Sequence, residues 1–332
     1  MLNFAIIGCG HIGKRHARQC AAWGRLIAVC DIDPARAAQL ALEYGARSYH
    51  SSEALFDAEK EIDVVAVCTP NGLHPAHTIQ ALKAGAHVIC EKPMAIHVAD
   101  CERMIAESVL VKKQLFVVKQ NRFNPPVAAV KKMLDENELG IIFSLQLNCC
   151  WHRGGDYYRD SWHGSMEMDG GILYTQFSHF IDLLQWMVGD VQESKGYAAN
   201  FAHGSVTAFE DTVAASLLFE NGTIASLHCS TNSYGKNMEG SLTIIAEKGT
   251  VKIGGAYLNR LDYLHSLSGL TVALPPGNAA NDYGSYEGSM SNHDKIYQHV
   301  VDVITRGQVN QFNGLDGLKT VKIIEKIYSA VR

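Results

Sequence analysis

This chain lacks the marks of several protein classes. No apolar run approaches the roughly 18 residues that a membrane-spanning helix needs, and no block of like charges suggests a tail or a polyanion-binding stripe. The formal net charge is −5, which argues against nucleic-acid or anionic-membrane partners. Nine cysteines are present without a single C-x-x-C pair, so neither a zinc knuckle nor a disulfide scaffold is expected. No internal repeat or low-complexity linker interrupts the sequence. An apolar strand pattern begins by Phe4, which leaves no room for a charged leader before it, so no signal peptide is expected. Reduced thiols and a cytoplasmic setting follow as expectations. The 332 residues, 47% hydrophobic and 19% charged, are ordinary for a globular protein and suggest two domains.

Against these absences, the first sixteen residues, MLNFAIIGCGHIGKRH, are dense with signal. Phe4 to Ile7 reads as a buried strand, Gly8, Gly10 and Gly13 follow in G-x-G-x-x-G spacing, and His11 to Trp23 reads as a helix. The glycines permit a tight turn, close approach of backbone to a pyrophosphate, and close helix–strand packing. The pyrophosphate would sit at the helix start, where free N–H groups face an anion. A second strand, Leu26 to Cys30, ends in Asp31, 18 residues beyond Gly13. That is near the distance expected for a ribose-binding carboxylate. Asp31, seconded by Asp33, favours NAD over NADP, because a carboxylate repels a 2′-phosphate. Arg36 lies one turn on and is discounted.

Strand and helix then alternate. Pro34 to Tyr44 is a helix stopped by Gly45, with further helices over about Ser52 to Ala58, Pro75 to Lys83 and Ala99 to Val111. Strands are expected near Arg47 to Tyr49, Val64 to Cys68, His87 to Cys90 and Gln114 to Val118. Such alternation specifies a parallel, doubly wound sheet. After Asn121 the pattern changes. A helix from Pro125 to about Asp135 precedes alternating runs at Ile141 to Cys150, Gln192 to Asn200, Thr212 to Phe219, Thr223 to Thr231, Ser241 to Ala246 and Thr250 to Ile253. Glu220-Asn221-Gly222 and Glu247-Lys248-Gly249 read as hairpin turns. One helix, about Gly171 to Val188, interrupts the strands. Pro275 to Gly288 reads as a loop, and two closing helices, about Asn292 to Arg306 and Leu315 to Val331, are expected to pack back on the first domain. The fold class is therefore α/β. A Rossmann dinucleotide-binding domain spans residues 1–121, and an α+β domain with a large open, mostly antiparallel sheet spans 122–332.

Chemistry can be placed on this frame. Removing hydride from a secondary alcohol needs a base for the hydroxyl proton. Lys92 follows a parallel strand's carboxyl end, where open α/β sheets put their ligands, and Pro93 is a candidate cis proline. The bland alternative is a surface lysine beside a turn. His179 lies on the interrupting helix with Asp182 at i+3, which either orients the imidazole or merely satisfies a core histidine. His74 with His77, and His152 with His163, lack a third ligand at a suggestive spacing, so no metal is expected. The segment Trp151 to Trp162 is crowded with aromatics and arginines. It suits a sugar or uracil ring with Arg153 or Arg159 on an anion, and equally suits a subunit interface.

The ordered motifs Gly8-Cys9-Gly10-His11-Ile12-Gly13, Asp31, Thr69-Pro70-Asn71 to His74, Glu91-Lys92-Pro93 and His179-Phe180-Ile181-Asp182 resemble those of the Gfo/Idh/MocA oxidoreductases. In the second half, Lys119-Gln120-Asn121-Arg122, Trp151 to Tyr158, Trp162-His163-Gly164, Asp169-Gly170-Gly171, Gln176 and Asn237 to Ser241 resemble bacterial UDP-N-acetyl-glucosaminuronate 3-dehydrogenases. The resemblance implies NAD-dependent oxidation of a sugar 3-hydroxyl on the way to surface polysaccharide. It implies a homodimer or homotetramer, and 2-oxoglutarate as a hydride acceptor. It implies cofactor binding by Gly8, Gly10, His11, Ile12, Gly13, Asp31, Thr69, Pro70, Asn71, His74, Glu91, Lys92 and Gln120. Substrate binding is implied for Lys92, Asn121, Arg122, Arg153, Tyr158, Arg159, Trp162, His163, Thr175 and His179. It implies Lys92 and His179 as the catalytic pair; His179 is preferred as base over the reverse assignment to Lys92, because a histidine's ordinary pKa of about 6.5 leaves it mostly neutral. Two departures stand out: Thr175 where relatives carry Asn or Asp, and His163 where they carry Arg. A dehydrogenase of another free or nucleotide-linked sugar, and a cofactor-binding sensor, are the alternatives; keeping both Lys92 and His179 counts against the sensor.

Overall fold

The computed structural model describes residues 1–284 and 287–331. The chain divides into two compact units, Met1–Lys119 with His293–Val321 and Gln120–Asn292 with Lys322–Arg332.

The first unit alternates β1 (Leu2–Ile7), α1 (His11–Trp23), β2 (Gly24–Cys30), α2 (Pro34–Tyr44), β3 (Arg47–Tyr49), α3 (Ser52–Ala58), β4 (Val64–Val67), α4 (His74–Lys83), β5 (His87–Cys90), α5 (Val98–Leu110) and β6 (Leu115–Val117). The six strands pair in the order β3-β2-β1-β4-β5-β6, each pair parallel. Strands covered on both faces need unbroken apolar runs, and Phe4 to Ile7 and Val64 to Val67 are buried throughout. The order reverses between β1 and β4, the switch point at which such sheets bind ligands. Local chemistry fixes the helix ends. Asp33 caps α2 by accepting the N–H groups of Ala35 and Arg36, Pro34 opens it, and Gly45 closes it at φ 66°.

The second unit contains α6 (Pro125–Asp135), β7 (Ile142–Cys150), α7 (Gly155–Tyr158), α8 (Ile172–Thr175), α9 (Ser178–Val188), β8 (Val191–Ala199), β9 (Thr212–Phe219), β10 (Ile224–Ser230), β11 (Glu239–Ala246), β12 (Gly249–Gly254) and β13 (Arg260–Ser266). Its seven-stranded sheet runs β13-β12-β11-β7-β10-β9-β8. Every neighbouring pair is antiparallel except β7 with β10. Leu145, Leu147, Leu227, Leu242 and Ile244 are buried on one face. The other face presents Ser144, Gln146, Ser226 and Thr243 with exposed Ile224 and Ile245.

Four features differ from the sequence reading, the first being the short helix α7 within the segment Trp151 to Trp162. The helix expected from Gly171 to Val188 is two helices, α8 and α9, separated at Gln176 and Phe177. The break lets Phe177 and Phe180 both reach the Trp151 ring, with centroids 5.5 and 5.4 Å away. Strand β13 was not anticipated; it is an edge strand, mostly exposed, and so carries little apolar alternation. Within the expected loop Pro275 to Gly288, β14 (Ala280–Asp282) pairs with β15 (Glu287–Met290), and Ser285 and Tyr286 lie outside the described residues. After these, α10 (His293–Arg306) belongs to the first unit and packs on α1. The last helix, α11 (Gly314–Val331), is divided between the two units at Val321. No described helix is long and apolar enough to cross a membrane.

Candidate active site

In the first unit the site begins at the β1–α1 turn. Gly8 adopts φ 99°, and a side chain there would meet the Cys68 carbonyl at 2.6 Å; a side chain on Gly13 would meet Gly8 O at 2.0 Å. Gly10 is different: a Cβ on it would meet nothing within 4 Å. The two outer glycines allow backbone contact, and the middle one leaves the space a pyrophosphate requires. Helix α1 has no acidic residue in its first turn to oppose an anion. Asp31 sits at the end of β2, where its carboxylate accepts N–H groups from Cys9 at 2.7 Å and Asp33 at 2.8 Å. Asp33 is committed to capping α2 and to Arg36, with Nε–Oδ2 of 3.2 Å, so Arg36 is held by a carboxylate.

The loops after β4 and β5 complete this side. His74 is buried at the start of α4, and its ring joins them: Nδ1 lies 2.7 Å from Pro93 O and Nε2 2.8 Å from Thr69 O. Burial pushes its pKa below the ordinary histidine value, and a neutral ring donates to one of the two carbonyls. His77 Nδ1 is 3.2 Å from the Thr69 hydroxyl. The Lys92–Pro93 peptide is cis. Glu91, expected on the cofactor, is buried with both carboxylate oxygens occupied. Oε2 accepts the Lys92 N–H at 2.9 Å, and Oε1 faces His16 Nε2 at 2.9 Å and His293 Nε2 at 3.1 Å. Neither His16 nor His293 was singled out from sequence. The only signal was that His16 falls on the buried face of α1 with Gly13 and Cys20.

In the second unit, the turn Gln120–Phe123 packs against α9. Arg122 donates to both oxygens of Asp182 at 2.9 Å, both side chains being buried, and its guanidinium lies 5.0 Å from the Trp186 ring. Arg122 thus fastens this turn to α9. The same turn presents Gln120 Oε1 and both side-chain atoms of Asn121, buried and without a protein partner among the described residues, as is Ser178 Oγ at the start of α9. Buried amides without partners are costly, and here they fit groups that meet a bound ligand. His179 is buried on α9 next to Phe180. The aromatic cluster that seats this helix includes Trp151, whose indole N–H donates to Ala256 O at 3.0 Å.

The aromatic segment is distributed more widely than expected. Arg153 is buried, donating to His152 O at 2.6 Å, Asn237 Oδ1 at 3.2 Å and Glu287 O at 3.4 Å, with Trp151 and Tyr157 rings 5.1 and 5.4 Å away. Arg159 is exposed and pairs with Asp156 at 2.7 Å. Tyr158 is buried beside His203, with centroids 5.1 Å apart. His163 stacks on Trp162 at 3.9 Å and meets Ser161 Oγ at 2.6 Å. Thr175 donates to the buried Asp169 carboxylate, whose Oδ2 also accepts the Gly164 N–H at 2.9 Å. The neutral residue at position 175 therefore has an acid within hydrogen-bond reach, supplied from six residues upstream.

Residues 2–119 match the Gfo/Idh/MocA oxidoreductase family, NAD-binding Rossmann fold, and residues 127–252 match the Gfo/Idh/MocA C-terminal domain. The chain belongs to the Gfo/Idh/MocA family. This Gfo/Idh/MocA protein is 32% identical to the WlbA dehydrogenase from Bordetella pertussis, solved with NADH and UDP-GlcNAcA. The likeness covers 100% of this chain and 96% of that one, with a TM-score of 0.87. The WlbA dehydrogenase of Chromobacterium violaceum, solved with the same two ligands, is also 32% identical, over 100% and 94%, with a TM-score of 0.89. A curated relative, D-apiose dehydrogenase of Paraburkholderia graminis, is 26% identical over 99% of this chain and 87% of that protein. The chain is an NAD-dependent oxidoreductase, and the open space at Gly10 and the carboxylate of Asp31 fit that cofactor.

Proposed function

We propose that this oxidoreductase oxidises the 3-hydroxyl of a UDP-linked N-acetylamino-uronic acid, as a step in building a surface polysaccharide. The observation that carries this reading is likeness over the full chain to two dehydrogenases solved with NADH and UDP-GlcNAcA. Partnerless buried amides at Gln120 and Asn121, beside the helix that bears His179, support a polar ligand there. NAD supplies the hydride-accepting chemistry when bound, held by the Gly8–Gly13 turn and Asp31. His179 removes the hydroxyl proton, and Lys92 polarises that hydroxyl. Asn121, Trp162, His163 and Thr175 orient the sugar nucleotide, and Gln120 meets the cofactor. The open face of the seven-stranded sheet serves a homodimer or homotetramer.

One observation favours a second reading, a sugar without the diphosphate. Both arginines expected on the substrate anion already meet protein acceptors, Arg153 the His152 and Glu287 carbonyls and Asn237 Oδ1, and Arg159 the exposed Asp156. The test is NADH formation on mixing the protein and NAD with UDP-GlcNAcA, UDP-GlcNAc and D-apiose, without 2-oxoglutarate, which would reoxidise the NADH being read. UDP-GlcNAcA should lead by about a hundredfold in kcat/KM, since a carboxylate contact of a few kcal/mol discriminates on that scale. A lead for the free sugar would select the second reading.

A further inference from the structure

Glu91 is a buried carboxylate one residue before Lys92, and its surroundings are directional. Burial pushes the hydroxyl of Tyr297 well above its ordinary pKa and the Cys20 thiol to about 12, so both keep their protons. A carboxylate only accepts, which requires the proton of His16 to sit on Nε2, facing Glu91. His16 Nδ1 is then left to accept from Tyr297 Oη at 2.8 Å, and Cys20 Sγ lies 3.3 Å behind that hydroxyl. His293 supplies a second imidazole N–H to the same Glu91 oxygen, at 3.1 Å. Burial would raise the Glu91 pKa, yet the hydrogen bonds from the two histidines hold it well below the ordinary carboxylate range. The result is a fixed anion with three N–H donors, one of them the backbone of Lys92 at 2.9 Å.

Two histidines and a glutamate with ligand atoms within 4.8 Å of one another also resemble a metal site. Ligand atoms around a tetrahedral zinc stand roughly 3.3 Å apart. Here the glutamate–imidazole separations are 2.9 and 3.1 Å, which are hydrogen-bond lengths. Resting on the reading of Lys92 as catalytic, we propose that His16 and His293 are positioning residues. Through Glu91 they fix the backbone of Lys92 and so aim its amine. His293, contributed by a helix 202 residues away in sequence, makes this aim depend on α10.

The test uses the full-length protein with NAD and UDP-GlcNAcA. Removing a donor to Glu91, or its anionic acceptor oxygens, shifts Lys92 without touching ligand, so His293→Ala and Glu91→Gln should lower kcat by about 10-fold and about 100-fold, the scale of a roughly 1 Å misplacement. KM and the NADH dissociation constant should stay within about threefold. His293→Gln, whose amide N–H can reach Glu91, should restore most of the rate. Adding Glu91→Gln to Lys92→Met should cost nothing further. A readout independent of turnover is amide exchange at Lys92 in protein labelled with 15N-lysine, which should quicken at least about 10-fold in Glu91→Gln and in His293→Ala. Parent exchange in both variants, a rise in NADH dissociation constant parallel to the loss in kcat, or one equivalent of bound zinc lost with His293→Ala would each overturn the proposal. Quickened exchange together with parent kcat in Lys92→Met would support the hold on the backbone and overturn the catalytic reading of Lys92.

Discussion

At the scale of single residues, charge placement decides cofactor and pH behaviour. Asp31 is oriented by two backbone N–H groups, and the proposed reading puts this carboxylate on the ribose, where it would repel a 2′-phosphate. Asp31→Ser should narrow the NAD-to-NADP ratio of kcat/KM by about a hundredfold; an unchanged ratio would remove Asp31 from cofactor choice. Glu91 makes a prediction with a definite sign. Its folded-state pKa lies below that of the unfolded chain, so between the two values the unfolded chain binds the extra proton. Its contribution to stability is full above about pH 4.3 and is lost as pH falls through the folded value. His16, lowered by burial, acts in the same direction from about pH 6.5 downward, where the unfolded chain takes protons that the folded one refuses. Below about pH 4.3 the stability gap between parent and Glu91→Gln should narrow as pH falls, followed by urea midpoints from about pH 4.5 to about pH 3. A widening gap would contradict the assigned charge. Asp31 was legible because its spacing from the glycines is a local rule. The partners of Glu91 were not, because 75 and 202 residues separate it from His16 and His293.

Secondary-structure elements show the same division between local signal and distant partner. The apolar spacing of Ser178–Val188 announces a buried helix, and the valine-rich Val64–Val67 announces a strand covered on both faces. What seats α9 is less visible: the Arg122–Asp182 pair spans 60 residues. Asp182, at i+3 from His179, receives the Arg122 guanidinium on its two oxygens. Arg122→Leu leaves a buried carboxylate without that partner and should destabilise the protein by about 3–5 kcal/mol. Arg122→Leu with Asp182→Leu should regain most of this, as buried pairs replaced by apolar groups usually do. Thermal unfolding with and without NADH measures both. A double variant no more stable than Arg122→Leu would mean that the pair does more than satisfy itself. Edge strand β13 is illegible in the sequence for a related reason: with little to bury it has little apolar pattern to read.

For the whole molecule, the order of the chain matters as much as its motifs. The dinucleotide-binding unit is not finished at residue 119; it takes back His293–Val321, including Tyr297, buried against Phe4 with ring centroids 5.7 Å apart. A fragment of residues 1–121 carries every glycine of the turn and Asp31, yet it lacks that cover and the His293 donor to Glu91. It should bind NADH at least about tenfold more weakly than the full chain, measured by calorimetry; equal affinity would show that α10 is dispensable. In the proposed reaction, hydride leaves C3 of a UDP-linked uronic acid for NAD. UDP-GlcNAcA deuterated at C3, mixed with the protein and NAD for a single turnover, should yield NADH carrying one deuterium, seen by mass spectrometry. NADH formed without the label, or no NADH at all while a free sugar gives it, would contradict the account.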